Sequence, residues 1–186
     1  RRTLSPVSIE QMTKKHQAIL PPEILKDASV LDLGACLGAT GHWVLCHGAS
    51  RYAGVEVQET YARTASELLK KYHGDKASIH TAPIEDWIAH NTEQFDIVCL
   101  LGVMYTYVDY YSILNTAQKI ARTHMVVEGL YHDKKILGEQ FYGVQFKSYQ
   151  RINLADEDAS LEGRGSRISP LGLQWLMQDF GFESPG

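Results

Sequence analysis

Short apolar runs alternate with amphipathic stretches along most of this chain. Five apolar runs predict β-strands, at 29–33, 52–57, 77–81, 95–101 and 124–128. The stretches between these runs carry apolar residues at helical spacing. Strands that alternate with helices predict an α/β fold, in which a Rossmann-like, doubly wound and mostly parallel sheet has helices on both faces.

The predicted helices have recognisable ends. Residues 8–20 predict a leading helix, which the Pro21–Pro22 pair ends because proline cannot extend a helix. The clearest helix ends at Gly74, and its apolar face is formed by Tyr61, Ala65, Leu68, Leu69 and Tyr72. The last helix begins at Ser169–Pro170, an N-cap residue followed by a proline in the first turn. Residues 130–167 show no clear period, and so long a connection is typical of a functional loop.

The composition is ordinary for a globular protein, with 44% apolar and 22% charged residues in a chain of 186. A net charge of −4 gives no general attraction to nucleic acid or to an anionic membrane. Cys36, Cys46 and Cys99 have no paired spacing, and each lies in an apolar segment, where a thiol behaves as a small hydrophobic group. The sequence contains neither an apolar run of about 18 residues nor a signal-peptide core at its start. We therefore expect a soluble, cytoplasmic protein.

Two positions predict a site for a nucleoside-bearing cofactor. Gly34 follows the first strand, where a glycine allows a sharp turn and a close approach of ligand to backbone. Glu56 ends the second strand 22 positions later, close to the spacing at which a βαβ unit places an acid against a ribose. A dinucleotide site would need a glycine where this chain has Cys36. At this point NAD, or no ligand, remains an alternative.

Four motifs carry a more specific resemblance, which covers roughly Val30 to Phe182. The pattern Asp32-x-Gly34-x-x-x-Gly38 resembles the first motif of class I S-adenosylmethionine-dependent methyltransferases. The run 95–105 is similar to the fourth-strand signature of one large subgroup, although Thr106 stands where many relatives have His. An acid at the end of strand five and the outline of the last helix also fit that subgroup; these features are Glu128, Ser169–Pro170, Trp175–Leu176 and Gly181–Phe182. The subgroup includes the tRNA wobble-uridine carboxymethyl-transferring enzymes.

The resemblance implies S-adenosylmethionine as the cofactor and S-adenosylhomocysteine as the product. The glycines of the turn would lie beneath the methionine and ribose, and Glu56 would accept hydrogen bonds from the ribose hydroxyls. Asp32 would organise the turn and the methionine amine, or else act as an N-cap for the next helix. The acid that often meets the adenine amino group would fall at Pro83, so Glu85 or the backbone of Ile84 would replace it. The implied cofactor-binding residues are Asp32, Gly34, Ala35, Gly38, Glu56, Val57, Ile84, Glu85, Leu101 and Gly102.

Methyl transfer is an in-line displacement on an activated sulfonium, so a general base is needed only where the nucleophile carries a proton. The catalytic candidates are Glu128, Tyr105 and His132, with Glu128 the favoured polar contact for the substrate. Aromatic residues near the same edge predict a wall for a planar or cationic substrate; these are Tyr105, Tyr107, Tyr131 and Tyr142. Asp109 is expected to be the N-cap of the following helix. We expect no metal site.

The predicted domain therefore has four parts: a helical N-terminal cap (1–28), a cofactor-binding core (29–129), a substrate-side loop or lid (130–167) and a C-terminal helix (168–186). Members of this fold continue into a C-terminal β-hairpin. Since the sequence ends at Gly186, we expect that hairpin to lie outside the sequence or the sheet edge to be built otherwise. The predicted function is methyl transfer from S-adenosylmethionine to a small molecule. An RNA methyltransferase and a non-catalytic nucleoside-binding domain are the alternatives, and the oligomeric state is left open.

Overall fold

Five strands form one sheet in the computed structural model, which describes residues 6–107, 109–128, 144–152 and 160–183. The strands are β1 (Ser29–Leu33), β2 (Arg51–Glu56), β3 (Ala77–Thr81), β4 (Phe95–Leu101) and β5 (Ala121–Glu128). Their order across the sheet is β3-β2-β1-β4-β5, and β1 pairs in parallel with both β2 and β4. The predicted doubly wound parallel fold is confirmed. In such a sheet the strand order reverses between β1 and β4, and ligands bind beyond the carboxyl ends of the strands at that point.

Seven α-helices are described. They are α1 (Pro6–Ile19), α2 (Pro22–Leu25), α3 (Ala39–Cys46), α4 (Glu59–His73), α5 (Ile84–His90), α6 (Tyr110–Ile120) and α7 (Pro170–Asp179). Pro21 lies between α1 and α2, as expected from the proline pair. The predicted N-cap of α7 is confirmed, since the Ser169 hydroxyl accepts a hydrogen bond from the Gly172 N–H at 2.8 Å. Asp109 likewise accepts from the Ser112 N–H at 2.9 Å, as an N-cap does.

The contacts of the chain divide it into two compact units. The first comprises Arg1–Leu100 and Lys119–Val126, and the second comprises Leu101–Gln118 and Val127–Gly186. In the first unit the central strands form the core, since every residue of β1 is buried and β4 is buried from Ile97 to Leu100. Burial of a strand on both faces explains its continuous apolar sequence. Among the described helices, none combines the length and apolar character needed to cross a lipid bilayer.

The prediction of an irregular loop over residues 130–167 is wrong for the part of that range that the structure describes. Two nine-residue strands lie there, β6 (Val144–Ile152) and β7 (Ser160–Ile168), and they pair antiparallel as a separate two-stranded sheet. This hairpin precedes α7 and is not part of the five-stranded sheet. It is therefore a different element from the C-terminal hairpin expected of the fold.

The buried face of α4 also differs from the prediction. Ala62, Ala65 and Leu69 are buried, whereas Leu68 is 45% exposed and Tyr72 is 62% exposed. The predicted burial of the thiols holds only for Cys99, because Cys36 and Cys46 are exposed. Both differences concern the turn that follows β1 and the helices α3 and α4.

Candidate cofactor site

The turn after β1 has a backbone that only certain residues tolerate. Gly34, Cys36 and Gly38 have φ values of 101°, 49° and 81°, all in the left-handed region. Gly38 is the N-cap of α3, and a Cβ added there would lie 3.2 Å from the Ala65 Cβ and 3.0 Å from the Leu69 Cδ1 of α4. Gly38 therefore lets the turn lie directly against α4.

Most backbone donors of this turn are occupied within the chain. The N–H groups of Gly34 and Ala35 both donate to the Val55 carbonyl at 2.9 Å, and the Gly38 N–H donates to the Ala35 carbonyl at 2.9 Å. The Cys36 N–H donates to Glu56 Oε2 at 2.8 Å. A pyrophosphate-binding turn needs its N–H groups directed at the ligand. Four of these donors are already used, so the turn does not resemble a dinucleotide site.

Glu56 is held over the turn by two backbone amides. Its Oε2 accepts from Cys36 and its Oε1 accepts from the Gln58 N–H, each at 2.8 Å. Only 8% of the residue is exposed. A carboxylate offers about four lone-pair positions, so roughly two remain for a ligand. The structure thus brings Glu56 and the Gly34–Gly38 turn together, as their spacing in the sequence suggests.

Asp32 is buried inside β1, with 1% of the residue exposed. Its Oδ2 accepts a hydrogen bond from the Tyr52 hydroxyl at 2.9 Å, while its Oδ1 is buried with no hydrogen-bond partner in the described part of the chain. Burial raises the pKa of Asp32 to about 6, against the lowering effects of the Tyr52 and Thr40 side chains. The alternative that Asp32 caps the next helix is wrong, because Gly38 occupies that position. A buried, unpartnered carboxylate oxygen suits a cationic ligand.

Tyr52 is a contributor that the sequence analysis missed. It lies on β2, is fully buried and reaches Asp32 across the strand pair. Its ring packs so closely on α3 that a Cβ added to Gly41 would lie 2.6 Å from Tyr52 Cε1. A tyrosine in an apolar strand 20 positions after a buried acid, with a glycine in the intervening helix, was the available signal.

The other predicted cofactor residues of the first unit differ in exposure. Ala35 and Ile84 are buried, with 4% and 6% exposed, and Ile84 is the first residue of α5. Val57 is 62% exposed, directly after Glu56. Glu85 is exposed in the first turn of α5. The Ala82 N–H donates to the Glu56 carbonyl at 3.2 Å, which ties the segment before α5 to the end of β2.

The remaining predicted residues belong to the second unit or lie outside the description. Leu101, Gly102, Tyr107 and Glu128 are half-buried in that unit, where the Gly102 N–H donates to the Glu128 carbonyl at 3.2 Å. The side chain of Tyr105 lies outside the described part of the structure. The same is true of the whole residues Tyr131, His132 and Tyr142. Their predicted roles stay predictions.

Several solved structures with the same fold are methyltransferases or contain bound S-adenosylhomocysteine. Magnesium protoporphyrin IX methyltransferase from Synechocystis PCC 6803, with bound S-adenosylhomocysteine, is 14% identical over 100% of this chain and 81% of its own, with a TM-score of 0.69. An S-adenosylmethionine-dependent methyltransferase from Mesorhizobium loti is 14% identical over 93% and 81%, with a TM-score of 0.67. The N-terminal domain of EvdMO1 with bound S-adenosylhomocysteine is 16% identical over 95% and 72%, with a TM-score of 0.66. No protein-family model and no curated protein sequence matches the chain. The chain therefore has the fold of class I methyltransferases.

Proposed function

We propose that this protein is an S-adenosylmethionine-dependent methyltransferase that acts on a small-molecule acceptor. The fold, the resemblance of the motifs and the geometry of the first unit support this proposal together. Magnesium protoporphyrin IX methyltransferase, whose name specifies a small-molecule substrate, has the same fold. The single observation that carries the proposal is the fixed carboxylate of Glu56 beside the Gly34–Gly38 turn.

Glu56 would bind the ribose of the adenosyl group. Two of its lone-pair positions are occupied by the Cys36 and Gln58 amides, so about two are left for the two ribose hydroxyls. Hydrogen bonds to an ionised carboxylate are roughly twice as strong as neutral ones. Val57 and Ile84, beside the end of β2, would then contact the adenine.

The same turn favours an adenosyl sulfonium over a dinucleotide. Its amides are used by Val55, Ala35 and Glu56, which leaves few donors for a pyrophosphate. S-Adenosylmethionine has no phosphate and carries positive charge instead. The buried Asp32 Oδ1, which has no partner among the described residues, would accept from its ammonium group. Gly34, Ala35 and Gly38 would form the surface beneath the methionine and ribose, and Leu101 and Gly102 remain proposed methionine contacts.

The bound cofactor would supply an activated methyl group on a sulfonium, so the protein mainly holds the acceptor in line with it. We propose Glu128 as a polar contact for the acceptor, since it ends β5 and is half-buried. Tyr107 is also half-buried and would extend an aromatic wall. Tyr105, Tyr131, His132 and Tyr142 stay candidates on the sequence alone.

The alternative is that the protein belongs to the wobble-uridine subgroup and methylates RNA, but the net charge of −4 gives this alternative no support. We propose a cytoplasmic location, on the unpaired cysteines Cys36, Cys46 and Cys99.

Isothermal titration with S-adenosylhomocysteine tests the cofactor site directly. The native chain should bind it, and NAD at the same concentrations should not compete. Glu56→Ala and Glu56→Gln should each weaken binding by at least about 100-fold, since two charge-assisted hydrogen bonds are lost or weakened. Glu67→Ala removes an exposed acid from α4 and should leave the affinity unchanged.

Two results would overturn the proposal. One is that the native chain binds NAD and not S-adenosylhomocysteine. The other is that Glu56→Gln, shown to be folded by circular dichroism, binds S-adenosylhomocysteine as tightly as the native chain. Once binding is established, transfer of labelled methyl from S-adenosylmethionine to fractions of a small-molecule extract would identify the acceptor.

A further inference from the structure

A cluster of three metal-ligating side chains lies on the helices behind the cofactor turn. His42 and Cys46 are one turn apart on α3, and His73 is the last residue of α4. His42 Nδ1 lies 2.9 Å from His73 Nε2, and His42 Nε2 lies 3.7 Å from Cys46 Sγ. One ligand atom from each residue lies within 4.8 Å of the other two. None of these residues belongs to the proposed cofactor site.

The donor set and its spacing suit a zinc ion. Zn²⁺ prefers thiolate and imidazole ligands in a tetrahedral arrangement, at about 2.3 Å for sulfur and about 2.0–2.1 Å for nitrogen. These bond lengths place ligand atoms about 3.3–3.6 Å apart on the ion. His42 can give only one of its ring nitrogens to an ion, and the three ligand atoms lie within 4.8 Å of one another. Rotation of the exposed His42 and Cys46 side chains would bring them to the spacing of bound ligands. Spacing of i and i+4 on one helix puts both ligands on the same face.

We propose that His42, Cys46 and His73 bind a zinc ion that joins α3 to α4, with water as the fourth ligand. Both His42 and Cys46 are exposed, so the fourth position is open to solvent. The two helices already pack together where Gly38 lies against Ala65 and Leu69. The ion forms a second connection about one turn further along both helices, since His42 follows Gly38 by four residues and His73 follows Leu69 by four. It therefore stabilises the pair of helices that supports the cofactor turn. The proposal departs from our sequence-based expectation that the protein has no metal site.

The sequence carries a faint signal for this site. The spacing His42-x-x-x-Cys46 can be recognised in the sequence. However, a histidine and a cysteine four residues apart in an apolar helix are core residues as often as they are metal ligands. His73 follows 27 positions after Cys46. Only the packing of α4 beside α3 brings the third ligand to the pair.

Cobalt binding provides the first test, because Co²⁺ replaces Zn²⁺ at such sites and reports its ligands by absorption. The native chain, purified in chelator, should bind one Co²⁺ with the visible bands of a four-coordinate ion and a near-ultraviolet thiolate charge-transfer band. Zn²⁺ should displace the cobalt and raise the melting temperature of the chain. Cys46→Ser should abolish the charge-transfer band, whereas Cys36→Ser, which removes the other exposed thiol, should retain it.

Competition with a chromophoric chelator then measures Zn²⁺ affinity. His42→Ala, Cys46→Ser and His73→Ala should each weaken it by more than about 10-fold, and His90→Ala, at an exposed histidine on α5, should not change it. In chelator the ligand variants should melt close to the native chain, so loss of the zinc-dependent rise separates lost binding from misfolding. The proposal is overturned if Co²⁺ binds without a thiolate band. It is also overturned if folded Cys46→Ser retains native Zn²⁺ affinity.

Discussion

At the scale of single residues, the most informative side chain is that of Asp32, a buried acid with one carboxylate oxygen that has no hydrogen-bond partner among the described residues. Asp32 Oδ2 accepts a hydrogen bond from the Tyr52 hydroxyl, and Thr40 also stabilises the carboxylate, but the Oδ1 atom has no hydrogen-bond partner among the described residues. Ionisation of such a group costs free energy, which is why burial raises its pKa to about 6. In a ligand-free protein this ionised acid weakens the fold, and a cationic ligand at Oδ1 would offset that cost.

The pH dependence of stability follows from that shift. Since the pKa of Asp32 is raised from 3.8 to about 6, its contribution to stability is fully present below pH 3.8 and is lost as pH rises through about 6. Asp32→Asn cannot ionise, so at neutral pH the variant should be more stable than the native chain by about 1–3 kcal/mol. Below about pH 4 the two chains should be equally stable. Urea denaturation across this pH range measures the difference.

The matched control is Asp86→Asn, which removes an exposed acid from α5 and should show no such pH-dependent gain. A difference between Asp32→Asn and the native chain that stays constant from acid to neutral pH would contradict the assignment. The variant should also lose affinity for S-adenosylhomocysteine, because the neutral amide offers no charge to the ligand's ammonium.

The residues that could be predicted at this scale are those whose role follows from strand order. Gly34 and Glu56 come together because parallel strands β1 and β2 end at the same edge of the sheet. Tyr52 has only the weak signal of its spacing from Asp32 and Gly41, because the sequence does not say which side of β2 faces α3. The amide partners of Glu56 likewise depend on the left-handed backbone of Cys36, an unusual conformation for a residue other than glycine.

At the scale of elements, the close packing of α3 on β2 depends on one glycine. Gly41 lies inside α3, where alanine would be the better helix former by about 1 kcal/mol. The Tyr52 ring occupies the space that a side chain would need. The helix thus gives up intrinsic stability so that Tyr52 can lie beneath it and reach Asp32.

Gly41→Ala should therefore destabilise the chain by about 1–3 kcal/mol, despite the gain in helix propensity. The added methyl forces α3 away from β2 or tilts the Tyr52 ring, and either change weakens the hydrogen bond to Asp32. Thermal and urea denaturation give the sign of the effect. In a Tyr52→Leu background the same substitution should cost less, because the ring is gone. A stabilising effect of Gly41→Ala in the native background would show that the clash is absent.

The elements themselves were largely predictable, and the two errors have physical causes. On α4 the apolar residues at helical spacing include Leu68 and Tyr72, but the face that packs is set by the small residues Ala62 and Ala65. Small side chains let neighbouring elements approach, and a hydrophobicity pattern gives them little weight. The β6–β7 hairpin was missed because β7 contains two glycines, Gly163 and Gly165, which lower strand propensity.

At the scale of the whole molecule, charge bears on the choice between a small-molecule acceptor and RNA. RNA binding relies on clustered basic side chains and the release of counterions. The chain has 18 basic and 22 acidic residues. On α1, Lys14 forms an ion pair with Glu10 at 2.6 Å, so one of the few adjacent lysine pairs is partly neutralised. This balance favours the small-molecule acceptor that we propose.

Fluorescence anisotropy with labelled bulk tRNA checks this directly, with a polylysine peptide to show that the assay reports binding. At about 150 mM salt we expect no saturable binding at micromolar protein, because an acidic chain gains little from displacing counterions. Any binding at low salt should fall steeply as salt is added and should not depend on S-adenosylhomocysteine. Sub-micromolar affinity that persists at about 150 mM salt would instead support the RNA alternative, since specific contacts must then outweigh the charge of −4. That result would leave the proposed cofactor site unaffected, because the roles that we propose for Glu56 and Asp32 concern the adenosyl ligand and do not depend on which acceptor receives the methyl group.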